Sequence, residues 1–265
     1  MSDRVTQQKR PSFMWALSDA WLMTKRSTMH IVRSGDQLMS VALFPIMFLI
    51  LNRYVFGGAI NTGEISYINF LVAGILVQML AFGANYTTIN LAVDLQKGIV
   101  DRFRSLPMAA SSLLVGHVVA DLFRNIASAL IVFGVAFLIG FRPTATLEEW
   151  GLIALLALLF TLAISWLSAI LGLFVKSIEA AQWMGFIIIF PLTFVSGAFV
   201  PTDTMPGALR TFAENQPLTH VIEAMRSWMV GTPMGDSATL AFIWMIGIIA
   251  VAAPTAVWIF KRQER

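Results

Sequence analysis

Charge is what this chain has least of. Only 12% of its 265 residues are Asp, Glu, Lys or Arg, against roughly 25% in soluble domains. Hydrophobic residues make up 57%, so the chain reads as an integral membrane protein. The net charge of +3 is small, and in such a chain basic residues report topology rather than nucleic-acid binding. Cysteine is absent, which excludes disulfides and thiolate metal sites without identifying a compartment. No Gly-Lys-Ser/Thr step occurs, so the chain is not a self-contained P-loop nucleotide hydrolase. H-E-x-x-H and G-x-S-x-G are missing too, and with them the usual metalloprotease and serine-hydrolase signatures. His30, His117 and His220 lie far apart and suggest no metal centre. The segment MSDRVTQQKRPSF has no short apolar core with a small-residue cleavage site, so no cleaved signal peptide is expected.

What is present is a series of long apolar runs. A helical span needs roughly 20 apolar residues, and six runs qualify: about Leu38–Phe56, Ile68–Val93, Leu113–Gly140, Trp150–Val175, Trp183–Val200 and Ala238–Phe260. They are continuous rather than alternating, which argues against a β-barrel. The fifth run carries Pro191, Gly197 and a following Pro201 and is expected to span as a broken or kinked helix. Basic residues are strongly biased to one side if the N-terminus is inside. Arg4, Lys9, Arg10, Lys25, Arg26, Arg33, Lys97, Arg102, Arg104, Lys176, Lys261, Arg262 and Arg265 then share the cytoplasmic side. Arg142, Arg210 and Arg226 remain outside. Both termini are therefore expected in the cytoplasm.

Residues 1–37 read as a cytoplasmic N-terminus with an interfacial helix, and 38–262 as one all-α transmembrane domain. Met14, Leu17 and Trp21 share a helical face ahead of Lys25 and Arg26, as in a helix lying in the interface; a solvated extension of the first span is the alternative. Between the fifth and sixth runs, Leu218, Val221, Ile222, Met225, Trp228 and Met229 form an apolar face, with His220, Glu223 and Arg226 on another. Gly231-Thr232-Pro233 ends that helix. We expect it to dip into the membrane or cap its outer mouth.

Polar residues inside the runs are the candidate site. His117, Asp121, Arg124, Asn125 and Ser128 share one face of the third run. They either line an inward-facing cavity or include a self-neutralising Asp121–Arg124 pair. Gln78 and Asn85, seven apart in the second run, form a weaker stripe that serves a cavity or holds helices together. Arg53 is placed to snorkel outward. Between the second and third runs lies DLQKGIVDRFRSLPM, Asp94–Met108. Lys97, Asp101, Arg102 and Arg104 must face water, while Ile99, Phe103 and Leu106 form an apolar stripe before Pro107 ends the helix. A short amphipathic helix on that face is a handle for a soluble partner.

The loop QKGIVDRFRSLPM, the stretch FPLTFVSGAFVPTDTMP (Phe190–Pro206) and FAENQPLTHVIEAMR (Phe212–Arg226) closely resemble bacterial ABC type-2 exporter permeases, nearest the daunorubicin/doxorubicin-resistance permease branch. The resemblance covers nearly the whole chain. It implies six transmembrane helices, an N-terminal elbow helix, and short re-entrant outer helices between spans five and six. Pro191, Gly197, Pro201, Glu214, Pro217 and Glu223 would belong to that outer region. It implies two permease chains, identical or paralogous, working with two separate ATP-binding subunits that hold ATP and Mg; this chain itself would bind no cofactor. Residues 96–106 would be the coupling helix, with Gln96, Lys97, Ile99, Asp101, Arg102, Phe103, Arg104 and Leu106 as its contact set. Gln96 stands where the family commonly has Glu, which removes one charge. Residues 176–182 would make a second, smaller cytoplasmic contact. The implied activity is export of hydrophobic or amphipathic compounds. A polysaccharide or lipid-linked glycan is the alternative cargo. An ion-coupled transporter would have to titrate Asp121, and an intramembrane enzyme lacks its motifs.

Overall fold

The computed structural model describes residues 35–60, 62, 65–98, 111–175 and 177–263. The interfacial helix expected over 13–33 and most of the expected coupling helix lie outside these residues. Among the described residues every regular element is helical. In chain order these are α1 (Gly35–Leu51), continued by a π-turn at Asn52–Phe56, α2 (Tyr67–Ala84), α3 (Tyr86–Gln96), α4 (Ser111–Leu138), α5 (Leu147–Phe174) and α6 (Ile178–Phe194). They are followed by α7 (Gly207–Asn215), α8 (Pro217–Val230) and α9 (Ser237–Gln263). Four stretches, Tyr67–Gln96, Ser112–Leu138, Leu147–Phe174 and Ser237–Arg262, are long and apolar enough to cross a membrane. Two shorter apolar helices, Ala42–Phe56 and Ile178–Phe194, accompany them.

The second run forms the axis. α2 and α3 follow one another with a single residue between them, and α2 is buried on nearly every side. Around this pair stand α1 against α2 and α4, α5 against α3 and α9, and α6 against α2 and α3. The peripheral helices keep apolar side chains outward, including Met47, Leu130, Ile187, Ile243 and Val251. A helix that is apolar all round, as α2 is, must be enclosed by protein or lipid; here its neighbours enclose it.

Local signals set the helix ends. Thr146 caps α5 in a capping box with Glu149, and the Ser177 hydroxyl accepts from the Ala180 N–H at the start of α6, 3.1 Å. α6 stops at Phe194, earlier than the run ending at Val200, because the chain turns over Val195–Phe199. Pro191 lies in the last turn of α6, where its carbonyl accepts the closing bond from the Val195 N–H, 2.8 Å. The chain then re-enters the bundle: a Cβ on Gly74 would overlap the Ala198 backbone. Gly74 lies seven residues into α2, about 10 Å below its start, so the turn penetrates to that depth.

α8 packs against α2, α5 and α9. Leu218, Val221, Ile222, Met225, Trp228 and Met229 are all buried, as their spacing suggested. His220 and Arg226 are buried as well, so the face opposite them is enclosed too. Arg226 Nε donates to the Phe70 carbonyl, 3.0 Å. Its Nη2 donates to the Gly197 carbonyl, and the guanidinium lies 3.7 Å from the Phe70 ring centroid. Two carbonyls and a π face thus replace water around that charge. Gly231, at φ 73°, ends the helix in the left-handed conformation that glycine adopts without strain.

Gly74→Ala is expected to lower stability by about 1–3 kcal/mol, the usual result of overpacking a tight contact. Thermal unfolding of the detergent-purified chain should show a lower midpoint. An unchanged midpoint would mean that the Val195–Phe199 turn is not seated against α2.

Candidate functional site

The axis is interrupted at Asn85. Its own N–H still closes the last turn of α2 onto the Ala81 carbonyl, 3.2 Å, and α3 resumes at Tyr86. No proline marks this break, although the run turns polar at it, Asn85-Tyr86-Thr87-Thr88. Two glycines let other helices come close there. A Cβ on Gly83 would overlap the Asn125 amide, and one on Gly185 would overlap the Asn85 amide. Each asparagine occupies the space that a facing glycine leaves open.

The polar face of α4 meets this interruption. Asp121 and Arg124, both 1% exposed at the side chain, form an ion pair. Asp121 Oδ2 also accepts from the Thr87 hydroxyl and from the Ser165 hydroxyl at 3.0 Å. The Arg124 guanidinium sits 4.6 Å over the Tyr86 ring. Asn125 Nδ2 donates to the Leu80 carbonyl, 3.0 Å, and to Thr161 Oγ1, 3.3 Å. The Thr88 hydroxyl donates to the Ser168 carbonyl, 2.8 Å. α3, α4 and α5 are thereby cross-linked by polar contacts spread over about two turns of α5. Ser128 is buried on the same face. Asp121 and Arg124 are on the walls of neither the cavity beside Asn85 nor the one between α4 and α5; they neutralise each other away from water. Gln78 donates to Thr193 of α6, 3.3 Å, and so holds helices together. His117 lies farther along α4 and pairs with Asp94 of α3, 3.0 Å. No periodic signal connects these two residues, which lie 23 apart in the chain.

Asn85 does reach open space. A cavity of about 380 Å³ lies between α1, the Asn85 break and α6. Its wall comprises Phe44, Pro45, Phe82, Asn85, Tyr86, Ile89, Gln182 and Phe186. Asn85 Oδ1 is buried and has no hydrogen-bond partner among the described residues. Beside the cavity Phe186, Phe190 and Phe194 stack at centroid distances of 4.8 and 4.2 Å. Phe44, Phe48 and Phe199 extend the array. Such walls offer broad apolar contact with flat π faces, with the Asn85 side chain at one edge. The i, i+4, i+8 spacing of the three α6 phenylalanines was the signal in the sequence that could have located this wall. Gln182, expected within a cytoplasmic contact, lies on the cavity wall.

The remaining candidates are spread out. Gln96 ends α3, and Lys97 caps it, exposed. Ile99, Asp101, Arg102, Phe103, Arg104 and Leu106 lie outside the described residues, as does Lys176. Gly197 is buried in the re-entrant turn and Pro201 begins the short 3-10 turn Thr202–Thr204. Pro217 is the first residue of α8. Glu214 pairs with Arg210 at the surface, 2.7 Å, and Glu223 accepts from the Ser237 hydroxyl, 2.7 Å. These outer residues do not converge on one point. Among the described residues no group of three or more His, Cys, Asp or Glu side chains could hold a metal ion.

The profile of the ABC-2 type transporter family matches residues 18–230. The chain is similar to the daunorubicin resistance ABC transporter permease protein DrrB1 of Streptomyces coeruleorubidus, 29% identical over 97% of this chain and 90% of the relative. It is similar to the probable doxorubicin resistance ABC transporter permease protein DrrC of Mycobacterium tuberculosis, 24% identical over 88% of this chain and 84% of the relative. Nodulation protein J of Rhizobium leguminosarum bv. trifolii is 28% identical over 66% of this chain and 67% of its own.

Removing one member of the buried pair leaves the other charge uncompensated. Asp121→Asn is expected to destabilise by about 3–5 kcal/mol. The double variant Asp121→Asn/Arg124→Met should recover most of that loss. Thermal unfolding of both variants against the parent chain checks this; equal losses would show that the pairing is not what matters.

Proposed function

Because the chain belongs to the ABC-2 type transporter family, we propose that it is the membrane subunit of an ATP-driven exporter for hydrophobic or amphipathic compounds of drug, antibiotic or lipid-like character. Its place is the bacterial plasma membrane, with both termini cytoplasmic. α1 and α6 complete six spans with the four longer helices, and the Gln96 end of α3 faces the cytoplasm. The observation that carries the reading is the aromatic-walled cavity against the Asn85 break. It offers flat π faces and a largely apolar wall in a chain that has no P-loop of its own.

A second permease chain, identical or paralogous, packs against the α1 and α6 face. There Phe44, Met47, Trp183 and Ile187 are exposed. Two ATP-binding subunits supply ATP and Mg and dock on residues 96–106. Ile99 and Phe103 are the anchors of that docking, and Arg102 and Arg104 are rim charges that steer it. Closure of the two ATPases would draw these loops together. The Asp94–His117 pair and the Thr87–Asp121–Ser165 contacts join α3, α4 and α5, so force applied at the Gln96 end moves these helices together. α6 meets α2 and α3 through the Phe82–Phe186 ring contact, the Gly185–Asn85 contact and the Gln78–Thr193 hydrogen bond. Sliding there opens and closes the cavity and switches its access. Asp121 is enclosed by Arg124, Thr87 and Ser165, which weighs against ion coupling. A glycan cargo is the second reading, favoured by the aromatic wall alone.

Co-purification with an ATP-binding subunit of the same family tests the assignment. The parent chain should form a complex whose ATPase is stimulated by daunorubicin or doxorubicin, the compounds named for its relatives. Arg102→Glu/Phe103→Ala should lose that stimulation. Phe186→Ala should preserve the complex and basal rate while the concentration for half-maximal stimulation rises at least fivefold. Transport that persists without any ATP-binding subunit would overturn the exporter reading. Unchanged stimulation in Phe186→Ala would remove the cavity from the cargo path.

A further inference from the structure

A second cavity lies on a different flank of the bundle. It runs between α4 and α5 over a floor made by Leu76 and Leu80 of α2, with a volume of about 320 Å³. α1 and α6 contribute nothing to its lining. Its shape follows from the antiparallel pairing of its walls. At one end Phe133 meets Trp150, ring centroids 5.3 Å apart in a T-shaped contact. At the other, Asn125 meets Thr161 at 3.3 Å. Leu122 and Phe133, both on its α4 wall, are eleven residues apart, so the slot is about 16 Å long. Ala129, Ala154 and Ala157 create it, because their side chains are too short to fill the space between the two helices.

The polar end offers little to a polar ligand. The Asn125 amide already donates to the Leu80 carbonyl and Thr161, and its oxygen lies against Gly83. The walls between are aliphatic, with exposed Ile126 and Leu130 at the rim. A methylene takes about the room of a water molecule, roughly 30 Å³ in a liquid, so the slot holds on the order of ten methylenes in single file. An empty slot of this kind would forfeit dispersion contacts along its whole length.

The mouth carries a charge. Phe133 packs on Phe141, 6.3 Å between centroids, and the next residue is Arg142. Arg142 is exposed, and its Nη1 donates to the Phe137 and Phe141 carbonyls, 2.9 Å each. It pairs with no carboxylate among the described residues. A cation, then an aromatic gate, then a narrow apolar slot follow in the order of a phosphate, a glycerol region and an acyl chain.

We propose that this slot holds one acyl chain of a glycerophospholipid from the leaflet on the Tyr67 side, its phosphate set against Arg142. The site is separate from the α1 and α6 cavity, and its occupancy does not depend on ATP hydrolysis. Native mass spectrometry tests it on the full-length chain, released by detergent from nanodiscs of equal phosphatidylglycerol and phosphatidylcholine. The parent chain should keep one phospholipid, enriched in phosphatidylglycerol. Ala157→Phe, which fills the slot, should cut that occupancy at least tenfold. Ala154→Leu is a milder filling that serves if Ala157→Phe fails to fold, and it should cut occupancy several-fold. Arg142→Gln should keep the adduct but lose the phosphatidylglycerol preference. Val251→Phe, on the exposed face of α9, should change nothing. An adduct that survives slot filling, falls equally in Val251→Phe, or has a mass other than that of a phospholipid would overturn the assignment.

Discussion

Polar groups in a hydrocarbon environment must find their partners within the protein, and most of this architecture follows from that constraint. The chain has few ionisable groups to place, and it places Asp121 and Arg124 against each other at the centre of the bundle. The pair does not stand alone. Thr87 and Ser165 occupy one carboxylate oxygen, and Tyr86 lies beneath the guanidinium. Each of these residues comes from a helix that must be in register for the contact to exist. A buried ion pair of this kind adds little net stability once desolvation is counted. It does penalise misregistered arrangements of α3, α4 and α5.

The same constraint explains where the bundle is loosely and tightly joined. Several polar contacts tie α3 to α4 and α5, whereas α6 adjoins the axis through the Gln78–Thr193 hydrogen bond, ring contacts and small residues. Aromatic stacking tolerates sliding better than a hydrogen bond with fixed geometry does. The aromatic-walled cavity lies on that looser seam. The alanine-lined slot lies between α4 and α5, on the firmly joined side. A rearrangement at the first therefore need not disturb the second.

Much of this was legible in the sequence, for identifiable reasons. Hydrophobic run length located the crossing helices to within a few residues, because membrane thickness sets a length that composition reveals. Helical spacing put Asp121, Arg124, Asn125 and Ser128 on one face, and they are buried together. It also anticipated the apolar face of α8 from Leu218 to Met229. The interruption at Asn85 was not legible. It depends on Gly185 and Asn125, which approach from helices far away in the chain, and no local pattern encodes a tertiary contact. The burial of Arg226 was hidden for a similar reason: its partners are backbone carbonyls, which have no sequence identity. Pro191, Gly197 and Pro201 did mark the fifth run as broken or kinked, but the end at Phe194 was not legible, since Phe199 is as apolar in a turn as in a helix.

α8 carries a consequence for the order in which the molecule can be assembled. Its walls come from α2 and α5, made before it, and from α9, made after it. During synthesis the re-entrant segment would therefore meet two sides of its socket and wait for the third. Arg226 can shed its water onto the Phe70 and Gly197 carbonyls as soon as the segment docks, but the socket closes only when the final helix arrives. The last helix thus acts as a latch on the centre of the fold, and a nascent chain without it has α8 still unsealed.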